Sequence, residues 1–254
     1  MAETHFSHET HRLAYDQSPG HGPGVVFLSG FNSNKDGTKA LHLEAWAQKQ
    51  DRAFLRFDYS GHGASSGRFE DGTITTWTRD AATIISGVTD GPQVLVGSSM
   101  GGWIACLLAR QHPEQIAGIV TIAGAPDFTE DRYWAGFDTA TRAALASEGA
   151  VDVQSPYDAQ PYRITRDLIE DGRRNLIFSD PLSISCPMRI LHGTEDDAIP
   201  VETALRLFNH VKGRDVQVTL VKGADHRFST PPCLDLIEAA IEDVTQASAK
   251  RRLH

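Results

Sequence analysis

Three short apolar runs, Val25 to Leu28, Ala53 to Phe57 and Val94 to Val96, each give way to glycine within a few residues, and stretches with helical spacing separate them. Such runs do not alternate between apolar and polar residues, so they read as strands buried on both faces, the mark of a parallel sheet covered by helices. Helical spacing spans Thr38 to Gln50, entered through Asp36-Gly37, and Trp77 to Gly87. The pattern continues with a helix Met100 to Gln111, strands Ile116 to Ile122 and Met188 to Leu191, a helix Val201 to Val211, a strand Val216 to Val221 and a closing helix Leu234 to Val244. The expectation is an α/β fold, a mostly parallel, doubly wound sheet whose ligand site lies at the carboxyl ends of its strands.

With 254 residues, 40% of them hydrophobic, the chain suits one domain over 1–254. A chain of this size hides roughly 75% of its unfolded surface and needs no disulfide or metal staple. One segment, Ala125 to Pro187, breaks the rhythm: it offers helix-like pieces, Arg132 to Ala146 and Thr165 to Arg173, and no convincing strand. It reads as a helical cap inserted over the sheet, the alternative being two crossover helices with long loops.

Charge and targeting signals narrow the setting. Asp plus Glu number 33 against 24 Lys plus Arg, a net charge of −9 that opposes a nucleic-acid partner. No apolar run approaches the roughly 20 residues of a membrane span. The first residues, Met1-Ala2-Glu3-Thr4-His5, show neither a secretory nor a transit pattern. Cys106, Cys186 and Cys233 have no metal-ligand spacing and cannot pair completely, so they read as reduced thiols. Together these features lead to the expectation of a cytoplasmic protein, with oligomeric state left open.

The sharpest local signal is Gly97-Ser98-Ser99-Met100-Gly101-Gly102, which fits G-x-S-x-G with Ser99 central, directly after one strand and at the start of an apolar helix. Gly97 and Gly101 let strand and helix approach closely around a serine raised on a tight turn. Ser98 is the competing hydroxyl, but the register sets it beside the central position. A serine hydroxyl is a weak nucleophile until a base takes its proton, and that base needs an acid to orient it. Two late strand ends supply both, through His192-Gly193-Thr194-Glu195-Asp196-Asp197-Ala198-Ile199-Pro200 and Gly223-Ala224-Asp225-His226. Asp196 is the first choice of acid, ahead of Asp197 and Glu195, which suit a solvated loop or the approach to the next helix. His226 is the candidate base, and His192 helps to shape the acid loop.

An oxyanion needs two backbone N–H donors, one from the residue after the nucleophile and one from the loop after the third strand. Met100 offers the first and Phe31, in Leu28-Ser29-Gly30-Phe31, the second; the Phe31 ring also suits a pocket wall. Asp58-Tyr59-Ser60-Gly61-His62-Gly63-Ala64-Ser65 carries four reactive side-chain types but reads as a tight turn tied by Asp58.

These segments, with Ile199-Pro200, resemble the α/β-hydrolase superfamily from about Val25 onward. Asp36-Gly37-Thr38-Lys39-Ala40-Leu41, Leu55-Arg56-Phe57-Asp58-Tyr59-Ser60-Gly61, Gly91-Pro92-Gln93-Val94-Leu95-Val96-Gly97-Ser98-Ser99 and Asp225-His226-Arg227 are similar to a narrower group. That group comprises the mitochondrial α/β-hydrolase-domain proteins that remove palmitoyl groups from protein cysteines and hydrolyse acyl glucuronides, with their bacterial carboxylesterase relatives. The resemblance implies a triad of Ser99, Asp196 and His226, and neither cofactor nor metal. Ser29-Gly30 departs from the His-Gly of many superfamily members.

The expected activity is hydrolysis of carboxylic esters or acyl thioesters through an acyl-enzyme. Carbon-carbon bond hydrolysis, cofactor-free perhydrolysis and a ligand-binding module without chemistry are the alternatives, since a fold does not fix a substrate. Phe128, Trp134 and Phe137 are candidates for an apolar acyl pocket, or else for the core of the cap.

Overall fold

Val25, Val26, Phe27 and Leu28 are all buried, yet they serve two cores. Val25 and Phe27 pack on one face of the sheet, Val26 and Leu28 on the other, because side chains alternate along a strand. Val94, Leu95 and Val96 divide in the same way.

The computed structural model describes residues 4–8, 11–154 and 160–251. In chain order the elements are β1 (Thr4–His8), β2 (His11–Ser18), β3 (His21–Leu28), α1 (Thr38–Lys49), β4 (Arg52–Phe57), α2 (Ile74–Val88), β5 (Gln93–Ser98), α3 (Met100–Gln111) and β6 (Ile116–Ile122). After these come α4 (Thr139–Glu148), β7 (Ala150–Val153), β8 (Tyr162–Thr165), α5 (Arg166–Arg174), β9 (Leu182–Ser183), β10 (Met188–Gly193), α6 (Val201–His210), β11 (Val211–Lys212), β12 (Val216–Val221) and α7 (Pro231–Arg251). None of the described helices is long and apolar enough to cross a membrane.

Eight strands form one sheet in the order β1-β2-β4-β3-β5-β6-β10-β12. β2 runs antiparallel to β1 and β4, and all other neighbours are parallel. From β3 the chain steps to β4 on one side and then to β5 on the other, which opens a crevice beyond the carboxyl ends of β3 and β5. Residues of α1 and α7, among them Leu43, Trp46, Ile237 and Ile241, fill one face. Trp77 and Ile84 of α2 and Trp103 and Ile104 of α3 fill the other. Burying each such aliphatic side chain contributes about 1.5–3 kcal/mol.

Two departures from the sequence reading have physical causes. β1 and β2 carry few apolar residues because they form an antiparallel edge, with Leu13 and Ala14 the fully buried positions of β2. The inserted segment contains strands that were not expected: β7 and β8 pair antiparallel, from Ala150 opposite Thr165 to Val153 opposite Tyr162, and β9 pairs with β11. Strands of four and two residues are too short for alternation to stand out. The helical piece expected over Arg132 to Ala146 is two elements, a π-helical turn at Thr129–Trp134 and then α4, whose N-cap Asp138 accepts the Thr141 N–H at 2.7 Å. Asp171 of α5 accepts the N–H and hydroxyl of Thr75, each at 2.8 Å, and so fastens the segment to the start of α2.

Candidate active site

Ser99 sits between β5 and α3 with φ 53° and ψ −115°. A non-glycine residue at positive φ costs on the order of 1–3 kcal/mol and persists only where its surroundings enforce it. Here the main chain does so. Ser99 N–H donates to the Ile122 carbonyl at 2.9 Å, and the Ser99 carbonyl accepts from Gly102 N–H at 2.9 Å and Ala125 N–H at 3.0 Å. A Cβ at Gly97 would strike the Gly101 carbonyl, and one at Gly101 would strike the Leu28 carbonyl. Both glycines are therefore required by close approach of β5, α3 and the end of β3.

Two other strand ends meet this serine. Beyond β10, Asp196 closes a turn in which one of its oxygens accepts the N–H groups of Ala198 at 2.9 Å and Ile199 at 2.8 Å. Beyond β12, the loop is tied to the first by Glu195 N–H on the Ala224 carbonyl at 3.0 Å and Gly223 N–H on the Thr194 hydroxyl at 2.9 Å. Fully buried Phe228 anchors it from the far side.

The second oxygen of Asp196 lies 2.8 Å from His226 Nδ1, and His226 Nε2 lies 3.2 Å from Ser99 Oγ. Burial pushes the Asp196 carboxyl up, but the hydrogen bond and charge of His226 and the Ile199 N–H outweigh it and hold the group below the usual carboxylate range. An ionised carboxylate only accepts, so Nδ1 carries the imidazole proton and Nε2 turns a lone pair to the serine hydroxyl. Glu195 and Asp197 are exposed. His192 is buried, donates from Nε2 to the Ile199 carbonyl at 2.9 Å and lies 3.4 Å from Asp196, closing the acid turn from beneath.

Ser99 and His226 open into a cavity of about 490 Å³. Gly30 and Phe31 line it on the β3 side, where a Cβ on Gly30 would lie 3.3 Å from that of Ser99. Met100 begins α3, and the first N–H groups of a helix have no partner within it. The Phe31 ring is the hub of an aromatic cluster, with centroids 4.9 Å from Phe69, 5.4 Å from Phe128 and 5.6 Å from Tyr162. The inserted segment lines the cavity with Phe128, Tyr133, Phe137 and Tyr162.

Trp134 does not take the pocket reading, one of the two offered for it. It is not a cavity wall; its ring packs against the guanidinium groups of Arg142 and Arg173, at 4.8 and 4.3 Å, and holds the segment together.

Two residues went unseen in the sequence. The turn after β4 is tied by Asp58 as expected, its carboxylate accepting from Lys35 and Ala64 N–H groups at 2.6 and 2.9 Å. His62 in the same turn has a further contact: Nδ1 faces the Ser60 carbonyl at 3.2 Å, and Nε2 accepts the Asn32 N–H at 3.3 Å, so the ring holds the residue next to Phe31. Burial lowers His62 to about 4, which keeps it a neutral acceptor. Lys39, from the first turn of α1, lines the cavity with its ammonium on the Arg227 carbonyl.

Comparison with known proteins names the class that this fold and site define. The model of the Alpha/beta hydrolase family matches residues 25–239, and the chain belongs to that family. It is 34% identical over 233 residues to the mitochondrial palmitoyl-protein thioesterase ABHD10 of Bos taurus, covering 91% of this chain and 76% of that protein. The structure of alpha/beta hydrolase domain-containing protein 10 from mouse superposes with a TM-score of 0.89 at 30% identity, over 97% of this chain and 99% of that one. A crystal structure of a protein from Agrobacterium vitis S4 does so with a TM-score of 0.90 at 36% identity, over 96% and 98%.

The cytoplasmic expectation does not stand. The ABHD10 relatives of cattle, mouse and human are named as mitochondrial. The three cysteines are free and buried, and reduced thiols suit any reducing compartment, so they did not single out the cytosol.

Proposed function

We propose that the protein hydrolyses acyl esters and thioesters through an acyl-enzyme on Ser99. In this reading His226 Nε2 takes the hydroxyl proton as Ser99 Oγ attacks the acyl carbonyl, and Asp196 holds the imidazole in its tautomer and balances the imidazolium. The Phe31 and Met100 N–H groups receive the negative oxygen. The C–O or C–S bond then breaks as His226 gives its proton to the leaving group, and water, activated by the same base, releases the acid. Residues 125–187 act as a cap on the single domain, with Phe128 and Phe137 against the acyl chain. Phe31 places its ring there too.

The observation that carries this reading is the run of contacts from Ser99 Oγ to His226 at 3.2 Å and from His226 to the buried Asp196 at 2.8 Å, beneath an aromatic cavity. The thioesterase names of the ABHD10 relatives support thioesters within the substrate range.

Ser99→Ala tests it. The variant is expected to fold and to lose kcat on a short p-nitrophenyl ester and on an acyl thioester by about 10⁶-fold, and a fluorophosphonate probe is expected to label Ser99 alone. Full turnover by the variant, or an unlabelled Ser99 in folded protein, would refute the assignment. Turnover of ring-fission products in place of esters and thioesters would select a different reaction at the same residues.

A further inference from the structure

The cavity is charged in the opposite sense to the chain. Overall the protein carries a net −9, yet the cavity lining includes Lys39, Arg132 and Arg227 and, among the described residues, not one Asp or Glu. Lys39 is half-buried and its ammonium has three protons. The Arg227 carbonyl takes one, and among the described residues Lys39 bonds no other acceptor. Asp225 pulls on this ammonium by charge but is not part of the lining. An ammonium held in a cavity wall with one carbonyl as its bonded acceptor among the described residues has lost water that an anionic ligand replaces well.

The position of the cations says which part of a substrate they meet. Lys39 is bonded to the residue that follows His226, and Arg227 is that residue. In a serine hydrolase the histidine delivers its proton to the leaving group, so groups beside it face the leaving side of the scissile bond. The apolar rings of Phe31, Phe128 and Phe137 are left for the acyl side. Two adjoining cations suit a phosphate monoester, which carries about two charges near neutral pH, better than a single carboxylate.

We propose that the cavity mouth beside His226 is a phosphate subsite formed by Lys39 and Arg227, with Arg132 contributed by the inserted segment. The favoured substrate is then an acyl ester or thioester whose leaving group bears a phosphate close to the bond that breaks. This rests on the hydrolase reading above.

Three thioesters of one acyl chain test it, with 2-methoxyethanethiol, 3-mercaptopropionate and 2-mercaptoethyl phosphate as neutral, singly and doubly charged leaving groups, and thiol release as the readout. The wild type is expected to show kcat/KM rising in that order, with the phosphate thioester at least about tenfold above the neutral one. That is the size of one charge-assisted hydrogen bond. Lys39→Met is expected to lower this ratio by about tenfold, mainly through KM, and Lys39→Arg to restore most of it. A flat wild-type series, or a Lys39→Met ratio equal to that of the wild type, overturns the subsite. A carboxylate preference equal to or above the phosphate preference overturns the choice of phosphate. Turnover of the neutral thioester without anionic preference defeats this proposal alone, while turnover of none of the three defeats the hydrolase reading and this subsite with it.

Discussion

The floor of the cavity and its roof are built by different means. On the floor, Ser99 is fixed by three main-chain hydrogen bonds, and the Asp196 side chain is 0% exposed and held by two N–H groups. The roof, from the inserted segment, is fastened largely by side chains. Arg173 pairs with Glu130 and Arg206 with Asp131, each at 2.7 Å and partly exposed, and Trp134 packs against two guanidinium groups. Exposed ion pairs contribute about 0–1 kcal/mol each, and exposed cation–π contacts about 0.5–1 kcal/mol. The geometry of the floor thus depends on hydrogen bonds among the ends of the sheet strands. Under the proposed function the floor would set reactivity and the roof selectivity.

The largest expected effect lies on the floor. Asp196→Asn keeps the shape but turns the amide toward His226 Nδ1, and the same change in a serine triad lowers kcat by about 10⁴-fold. Glu195→Gln and Asp197→Asn, at exposed positions, are expected to stay within a few fold. Steady-state kinetics on one ester decides: a loss for Asp197→Asn as large as that for Asp196→Asn would mean that the wrong acid has been chosen. Next in size is His62→Ala, which removes the acceptor of the Asn32 N–H. A displacement of the neighbouring Phe31 N–H by about 1 Å is expected to cost up to about 100-fold in kcat, with KM little changed. An unchanged kcat in folded protein would show that the aromatic packing of Phe31 is enough to hold the loop.

The same contrast explains what was legible beforehand. β5, β6 and β10 are buried throughout, so each prints a short, mostly apolar run, broken in β10 by Arg189, and the residues just beyond β5, β10 and β12 could be named in order. β12, at one edge of the sheet, was still legible, whereas β1 and β2 at the other edge and the short hairpin of the roof print no such run. α2 begins at Ile74, three residues before the apolar spacing becomes obvious, because Thr73 caps it through the Thr76 N–H. Ser99, Asp196 and His226 were chosen as candidates because each follows a strand. His62 and Lys39 were not, since their partners, Asn32 and Arg227, lie 30 and 188 residues away with no local pattern to link them. Trp134 stayed open between pocket wall and cap core because an aromatic residue in a cap has the same sequence signature whether it faces a cavity or a guanidinium.

The smallest expected effect concerns the mouth, and pH isolates it. Burial lowers Lys39 from its ordinary value to about 8, with Asp225 raising it and Arg227 lowering it in turn. Below about pH 8 the group is an ammonium; above it, a neutral amine that has lost its charge. The ratio of phosphate to neutral thioester turnover is therefore expected to be highest near pH 7 and to fall by up to about tenfold toward pH 9.5, approaching that of Lys39→Met. Other titrations do not imitate this. The second phosphate ionisation falls near about pH 6, a guanidinium does not lose its proton in this interval, and any change in the groups that act on both substrates alike cancels in the ratio. Lys39→Arg should give a flat ratio over the same interval. A wild-type ratio that stays level from pH 7 to 9.5 would show that Lys39 does not read the leaving group, and would leave the floor chemistry intact.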